Sequence, residues 1–479
     1  MAGAWFYGAY WLDLFPLIEY RNWLWYPFEA GRSIPELLHH LGAQEGAFAR
    51  DVSLFEVQLT ALGCGLGYRC VNAVPLALLL VTDVLLYFLI RRLVGSRPLA
   101  FGAACLWMMS HPVVDAAAWQ ATNHDKVAVV LTLATLHVLL YFLKGPATLF
   151  RIVAGNLAVF ALVVLAYNSK EAAWALVPCG LLLGFVVFDG PAPGGFIRGQ
   201  LPYFVLALLY AVHQNLRYFA FFQEDHAWKV HVTSGPPLRN TAAYLAFLAN
   251  QPVFSWFALQ PTGAVVVAAA LAWRFGERRR AKVAWWAALA SVLSAALVLR
   301  LQYPSGYHMV VPSVYLYLMG AAAFASLLEG TGGPAWRRPV GLGLSAATAA
   351  YLLMHGVRAY PDYEARRARS ARFVATLPVI AKHVPVAGDA PIHLVTPDSR
   401  YDAYMFLGAT DARDIYPYIY GEARADPAFE ARFRDLTRSA YDALGSRPVG
   451  AYYVVFDDDM GVAEIDLGPR TLYRREESR

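Results

Sequence analysis

One short connection in this sequence concentrates side chains that can move protons and bind anions. Ser110–Lys126 (SHPVVDAAAWQATNHDK) is a polar stretch between the apolar runs Leu99–Met109 and Val127–Leu143. Its chemically capable residues are Asp115, Asn123, His124, Asp125 and Lys126. Ionisable groups are costly at membrane depth, so they tend to line cavities and carry function there. Taken alone, this stretch fits an ordinary solvated loop between two membrane spans better than a site, and the other residues must decide.

The composition indicates a polytopic membrane protein. The 479 residues are 58% hydrophobic and only 16% charged, with a mean hydropathy of +0.40, whereas a soluble domain carries about 25% charged residues. The net charge of +5 does not indicate nucleic-acid binding. Cys105 and Cys179 lie in apolar runs, while Cys64 and Cys70 could pair, although the sequence does not require it. The N-terminus shows no cleavable signal peptide pattern.

The apolar runs predict a helical membrane domain of about ten spans. Residues 1–70 precede it and are rich in aromatic residues, which is typical of an interface; short amphipathic helices are predicted there at Ser33–Leu41 and Asp51–Leu62. The predicted spans within 71–356 are Val71–Ile90, Leu99–Val114, Val127–Leu143, Ile152–Tyr167, Ala172–Phe188, Leu201–Phe222, Gly263–Phe275, Val283–Leu299, Met309–Leu328 and Val340–Met354. The long polar loop Gln223–Gln260 separates the sixth and seventh, and an interfacial helix is predicted within it at Asn240–Phe257.

The loops predict which side of the membrane each polar residue faces. One set of loops holds Arg91, Arg92, Arg97, Lys144, Arg151, Arg198, Arg274, Arg278, Arg279, Arg280, Lys282, Arg337 and Arg338, and the alternate set holds only Lys126, Lys170, Lys229, Arg239 and Arg300. Basic loops face the cytoplasm, so both termini and the second set of loops are expected outside. The conspicuous polar residues on that side are Asp13, Asp115, His124, Asp125, Lys170, Glu171, His226, His231 and His308.

Residues 357–479 predict a small extracytoplasmic α/β domain. Its predicted elements are a basic helix at His355–Arg372, strands at Ile392–Thr396 and Tyr452–Asp457, and a helix at Phe429–Leu444. The acidic triplet Asp457–Asp459 resembles those that hold a metal and a nucleotide sugar. We discount that function, because nucleotide sugars are cytoplasmic and acidic turns after strands are common.

Four stretches resemble membrane glycosyltransferases of the GT-C class, in particular the polyprenyl- or dolichyl-phosphate-sugar-dependent O-mannosyltransferase-like branch. Gly67–Leu93 is similar to the second span of that family, and His111–Trp119 matches its HP-x-x-E-x-x-x-W loop with Asp115 in place of Glu. Asn168–Pro178 resembles its SKE-x-x…P element. Tyr303–Tyr317 resembles its ERYLYLPSVG element, with Gly-Tyr-His where Glu-Arg-Tyr is usual.

The resemblance implies an outer-face glycosyltransferase with inversion. It implies Asp13 as the base, with Glu19 in reserve and Asp115 orienting the acceptor. The predicted substrate-binding residues are Lys170, Glu171, Arg217, His308 and His124. For Arg217, snorkelling to the outer interface is an equal alternative. The family begins with a membrane span, which here is absent or reduced to Met1–Tyr10, and its first loop often holds paired acids where this chain has Asp13-Leu14.

The chemistry suits these residue types. A polyprenyl-phosphate sugar has a phosphate leaving group, so one carboxylate that accepts the proton of the attacking hydroxyl suffices, and cations stabilise the departing phosphate. The implied partners are this donor, a protein, lipid or glycan acceptor, and the lipid bilayer. The expected location is a bacterial inner membrane. No cofactor and no metal ligand set is predicted, although a divalent metal is compatible.

Three other classes compete with this function. A transporter or lipid-linked sugar flippase should show internal repeats, and none is visible. An envelope polysaccharide polymerase or ligase should carry arginines and a histidine in one large outer loop, of which Arg239, His226 and His231 are a sparse version. The third alternative is a non-catalytic membrane scaffold whose C-terminal domain binds a partner.

Overall fold

The computed structural model describes residues 34–36, 51–65, 67–118, 122–143, 148–187, 205–210, 212–213, 261–295, 306–330, 333–397, 419–420 and 432–475. The helices of the first part are α1 (Asp51–Cys64), α2 (Tyr68–Val94), α3 (Arg97–Met108), α4 (His111–Ala118), α5 (Asn123–Leu143), α6 (Leu149–Tyr167) and α7 (Leu176–Val187). They are followed by α8 (Pro261–Phe275), α9 (Arg278–Ala295), α10 (Val310–Leu328) and α11 (Arg337–His383). Short 3-10 turns at Glu171–Ala175 and Gly306–Met309 precede α7 and α10.

Four of the described helices are long and apolar enough to cross a membrane: they contain Arg69–Val94, Asn123–Phe142, Leu149–Tyr167 and Val310–Leu328. The described residues therefore do not confirm the expected count of about ten spans. The central helix is α10, whose side chains are nearly all buried and which packs against α2, α3, α5, α8, α9 and α11. Small residues such as Gly320 and Ala321–Ala323 let these neighbours approach its backbone closely.

Two expected spans are broken near the end that carries the polar residues. Leu99–Val114 is interrupted after Met108, and α4 restarts at His111 with Pro112 in its first turn, where a missing amide proton costs nothing. Ala172–Phe188 begins instead with a 3-10 turn, and the regular helix α7 starts at Leu176 with Pro178 in its first turn. The prolines explain both breaks, which could not be recognised from the continuous apolar runs.

The C-terminal part of the chain is an α/β unit, as expected. Its sheet has the order β2-β1-β3-β4-β5. The strands are β1 (Ile392–Thr396), β2 (Phe433–Thr437), β3 (Tyr452–Phe456), β4 (Val462–Leu467) and β5 (Arg470–Arg474). The first three pair in parallel and the last two form an antiparallel extension. The long helix α11 continues from the membrane domain into this unit, where Phe373 stacks on Phe456 with ring centroids 6.1 Å apart.

The expected helix at Phe429–Leu444 is wrong for most of its described length. Phe433–Thr437 forms β2, and only Arg438–Asp442 is helical (α12). The Thr437 hydroxyl accepts a hydrogen bond from the Ala440 amide at 3.3 Å and so starts α12. Parallel pairing with β1 decides the strand, and such tertiary pairing is not visible in the local pattern.

Candidate functional site

The polar stretch singled out in the sequence is withdrawn from solvent. Helix α5 begins at Asn123, and its first turn carries Asn123, His124, Asp125 and Lys126, all of them buried. Just before it, the Thr122 hydroxyl donates to the Ala116 carbonyl of α4 at 3.0 Å. A solvated loop would expose these side chains, so that simpler interpretation of the stretch does not hold for its last four residues.

Asp125 is the centre of a buried ionic cluster. Its Oδ2 lies 3.2 Å from His124 Nε2 and 3.6 Å from Lys170 Nζ. The Asp125 side chain is 1% exposed and that of Lys170 is 5% exposed. Charges buried to this degree are tolerated when they are paired. The structure therefore brings together two elements that are 45 positions apart in the sequence and that were both predicted to face outward.

Lys170 is delivered by the turn between α6 and the 3-10 turn. The Lys170 amide still donates to the Ala166 carbonyl at 3.1 Å, while its own backbone is extended. Beside it, the Ser169 hydroxyl donates to the Leu165 carbonyl at 2.8 Å, and the Tyr167 hydroxyl donates to the Trp174 carbonyl at 2.8 Å. These local bonds satisfy the end of α6 and fix the direction in which Lys170 leaves the helix.

Helix α1 holds the turn before Lys170 through two hydrogen bonds. The Val52 amide donates to the Asn168 carbonyl at 3.1 Å, and the Ser53 hydroxyl donates to the Ser169 carbonyl at 3.2 Å. A disulfide between Cys64 and Cys70 joins the end of α1 to the start of α2, with Cα atoms 5.5 Å apart. The pairing that the sequence left open is therefore formed.

Glu56, which the sequence did not single out, lies on α1 against the first turn of α5. Its carboxylate accepts hydrogen bonds from the Thr60 hydroxyl at 3.1 Å and from the Asn123 side-chain amide. Burial raises the pKa of Glu56 to about 7, although the Thr60 hydrogen bond and the charge of Lys126 oppose that rise. The only signals in the sequence were its place on an amphipathic helix and the i, i+4 spacing to Thr60.

Lys126 lies between the two acidic residues of this region. Its side chain is completely buried and it interacts with both Asp125 and Glu56. The sequence placed Lys126 in the polar stretch but assigned it no role in the site.

The other sequence-predicted residues fall into two groups. Asp115 lies in α4, which packs against the 3-10 turn that carries the half-buried His308, and Glu171 is the first residue of the other 3-10 turn. The elements carrying Asp115 and His308 are thus neighbours. The second group lies outside the described residues and consists of Asp13, Glu19, Arg217, His226 and His231.

An apolar cleft of about 350 Å³ opens beside the start of α4. Its walls come from α3, α4, α8, α10 and α11, and much of their surface is made by Gly102, Ala103, Gly320, Ala321, Ala346 and Ala349. Ser345 and Thr348 also line it, but their hydroxyls donate to carbonyls of their own helix at 3.0 and 2.8 Å. The polar pole of the cleft is therefore formed by Ser110 and Tyr317.

Ser110 turns its side chain toward this cleft instead of capping α4. Its carbonyl accepts from the amides of Val113 and Val114. The Tyr317 hydroxyl lies beside the buried Ser110 hydroxyl. These two hydroxyls make one end of the cleft polar, which suits a polar group on an otherwise apolar ligand.

The described residues offer little for a metal ion. Within them, no group of three or more His, Cys, Asp or Glu side chains converges. The acidic triplet of the C-terminal unit serves its own turn: Asp457 Oδ1 accepts from the amides of Asp459 and Gly461, and Asp457 Oδ2 lies 2.8 Å from Arg475 Nη1. Asp459 pairs with Arg372 of α11.

Comparison with known proteins adds one distant likeness. No protein-family model and no curated protein matches the chain. Among solved structures, the chain is similar to the Archaeoglobus fulgidus oligosaccharyltransferase, which was crystallised tethered to an acceptor peptide containing the NVT sequon via a disulfide bond. The two share 11% identity with a TM-score of 0.37, over 79% of this chain and 56% of that one. This chain thus matches little more than half of that protein, and a likeness at this level does not establish a shared fold or activity.

Proposed function

We propose that this protein is an integral-membrane glycosyltransferase of the GT-C type that moves a sugar from a polyprenyl-phosphate donor to an acceptor hydroxyl at the outer face. The observation that carries the proposal is the buried cluster of Asp125, His124 and Lys170. Lys170 lies in one of the family-like sequence elements, Asn168–Pro178, and His124 and Asp125 come shortly after another, His111–Trp119. Ionisable residues at the ends of membrane helices, paired and withdrawn from water, are a functional site by default.

The outward orientation has support beyond the basic loops. The Cys64–Cys70 disulfide lies at the same end of the helices as Lys126 and Lys170. Disulfides persist in oxidising compartments such as the periplasm and are rare in the cytosol. The positive-inside rule and the disulfide therefore favour the same orientation.

The proposed reaction is a single inverting displacement. The acceptor oxygen attacks C1 of the sugar and loses its proton to Asp13, while the bond between C1 and the phosphate oxygen breaks and its electron pair leaves with the lipid phosphate. Asp115 orients the acceptor, with Glu171 and His124 beside the sugar. Lys170, His308 and Arg217 supply the positive charge that stabilises the departing phosphate. Asp125 holds Lys170 in place for that task.

The apolar cleft supplies a place for the lipid chain. It runs beside α4, the helix that carries Asp115, and its polar pole is formed by Ser110 and Tyr317. A polyisoprenoid phosphate is apolar along its length and polar at one end, as the cleft is. Small residues along α3, α10 and α11 leave room for a methyl-branched chain.

The first experiment is sugar transfer by the purified protein in detergent, with wild type beside D13N. The assay offers a panel of radiolabelled polyprenyl-phosphate sugars and follows hydrolysis separately from transfer. Loss of the general base should lower the rate by about a hundredfold or more, whereas E464Q, which removes a carboxylate from strand β4 of the C-terminal sheet, should keep it.

Each result decides something. Transfer that survives in D13N would keep the class and move the base to Glu19 or Asp115, which E19Q and D115N then separate. Failure of the wild type to turn over or hydrolyse any donor would contradict the proposed function.

A further inference from the structure

Helix α1 touches both halves of the proposed site. At its start, Val52 and Ser53 bond to the carbonyls of Asn168 and Ser169, directly before Lys170. One turn later, Glu56 meets Asn123 at the start of α5. A single helix that lies outside the candidate spans therefore bridges the two segments that carry the buried ions.

Glu56 is the link to α5. One of its carboxylate oxygens accepts from Thr60 in its own helix, and the other accepts from Asn123. Lys126 lies one turn after Asn123 on α5, and its side chain interacts with Glu56 and Asp125 together. Displacing Glu56 would thus disturb the side chains on both sides of Asp125.

The hydrogen bonds of Glu56 explain why an acceptor group is needed there, and charged groups surround it. The groups that face it or its immediate neighbours are Lys126, Asp125, Lys170 and His124. A residue at position 56 without an acceptor would leave the Thr60 hydroxyl and the Asn123 side-chain amide without this hydrogen-bond partner, which is costly for buried polar groups.

We propose that Glu56 is a positioning residue that fixes Asn123 and Lys126 at the start of α5, and thereby keeps Asp125 directed at Lys170. This inference rests on the proposed function, because Lys170 is the group that meets the donor phosphate. It also gives α1 a role: the helix joins the turn before Lys170 to the start of α5.

Glu56 should act on turnover more than on substrate binding. Misplacing a phosphate-stabilising cation by a fraction of an ångström weakens stabilisation of the transition state, and such errors lower kcat strongly. Glu56 also changes its charge near neutral pH, since burial raises its pKa to about 7. The pH profile of kcat should therefore carry an ionisation that belongs to Glu56.

The test compares E56Q, K126M and the double variant in the purified full-length chain, with E464Q in the C-terminal sheet as a matched control. E56Q should lower kcat about tenfold with little change in KM, and should remove the ionisation near pH 7 from the kcat profile. Thermal unfolding should show that the double variant loses less than the sum of the two single variants, because the pair is coupled.

The outcomes separate the two proposals. A wild type that transfers sugar, with E56Q unchanged in kcat and in pH profile, would overturn the role of Glu56 and leave the proposed function standing. Strictly additive unfolding shifts would overturn it as well, independently of any activity. A wild type that transfers no sugar overturns the proposed function, and the positioning role falls with it.

Discussion

The two ends of the membrane domain use the same residue types in different ways. At the basic end, Arg280 Nε donates to the Val94 carbonyl at 2.9 Å and Nη1 donates to the Ala325 carbonyl at 3.0 Å. The same guanidinium lies 3.3 Å from Glu277 and 3.2 Å from Glu329, both of which are about two-fifths exposed. At the polar end, Asp125 and its lysine partner are almost fully enclosed.

The partners of these charges differ as much as their exposure. Arg337 repeats the pattern of Arg280, since it donates to the Phe275 and Gly330 carbonyls. Val94, Ala325 and Phe275 lie at or near the C-terminal ends of α2, α10 and α8, where carbonyls lack helical partners and cations are favoured. Helix capping thus accounts for these arginines. Asp125 instead forms ion pairs with His124 and Lys170, which helix capping does not require, so a functional role is the better explanation.

Lys170→Met tests most directly whether the polar end is functional, and we expect from it the largest loss of stability and of sugar transfer. It removes the cation and leaves Asp125 buried without its lysine, which costs about 3–5 kcal/mol of unfolding free energy. Sugar transfer should fall by about a hundredfold or more. Initial rates with a saturating donor and thermal unfolding in detergent measure the two effects.

Two control variants show whether the losses in K170M come from this particular lysine and from its pairing with Asp125. Lys282→Met, a lysine on α9 at the basic end, should leave transfer unchanged. The double variant K170M/D125N should regain much of the stability but not the transfer. Transfer that remains intact in K170M would place Lys170 with the arginines of the basic end as a structural charge.

Arg280→Ala tests the opposite end and should act on stability alone. Losing two hydrogen bonds to helix-terminal carbonyls should lower the unfolding free energy by about 2 kcal/mol, with transfer per folded molecule unchanged. Arg280→Lys is the matched control, because it keeps the charge but not the planar fork of donors. Transfer that falls in step with K170M would show that the two ends are not separate in function.

The sequence predicted the elements of this fold better than their interruptions. Long apolar runs identified α2, α5, α6 and α10 because twenty or so apolar residues have few other uses. The breaks after Met108 and before Leu176 were missed, since their prolines look acceptable inside an apolar run. Ile392–Thr396 was predicted as a strand with its correct bounds, whereas β2 was mistaken for helix because its pairing with β1 is not local.

Some members of the buried cluster stood out in the sequence and others did not, because packing between distant segments is not visible in a local pattern. His124 and Lys170 were predicted to bind substrate and Asp125 was noted only as an outward-facing polar residue, and the structure brings the three together. Glu56 was not recognised, because a glutamate on an amphipathic helix is ordinary until the helix is seen against Asn123. A burial environment is a property of the packed molecule and leaves no mark on the residue type.

The smallest effect that we expect is a difference between the two ends of the membrane domain in how stability depends on pH. The pKa of Glu56 lies at about 7, above its ordinary value of 4.5, so its contribution to stability is complete below about pH 4.5 and is lost as the pH rises through 7. The melting temperature of wild type relative to E56Q should therefore fall by a few degrees, roughly 3 °C, between pH 5.5 and 8. E329Q replaces an exposed carboxylate at the basic end and should show no such difference. A wild-type-minus-E56Q difference that stays flat across this range would mean that Glu56 is not buried in the folded protein, and the contrast between the two ends would then rest on Asp125 and Lys170 alone.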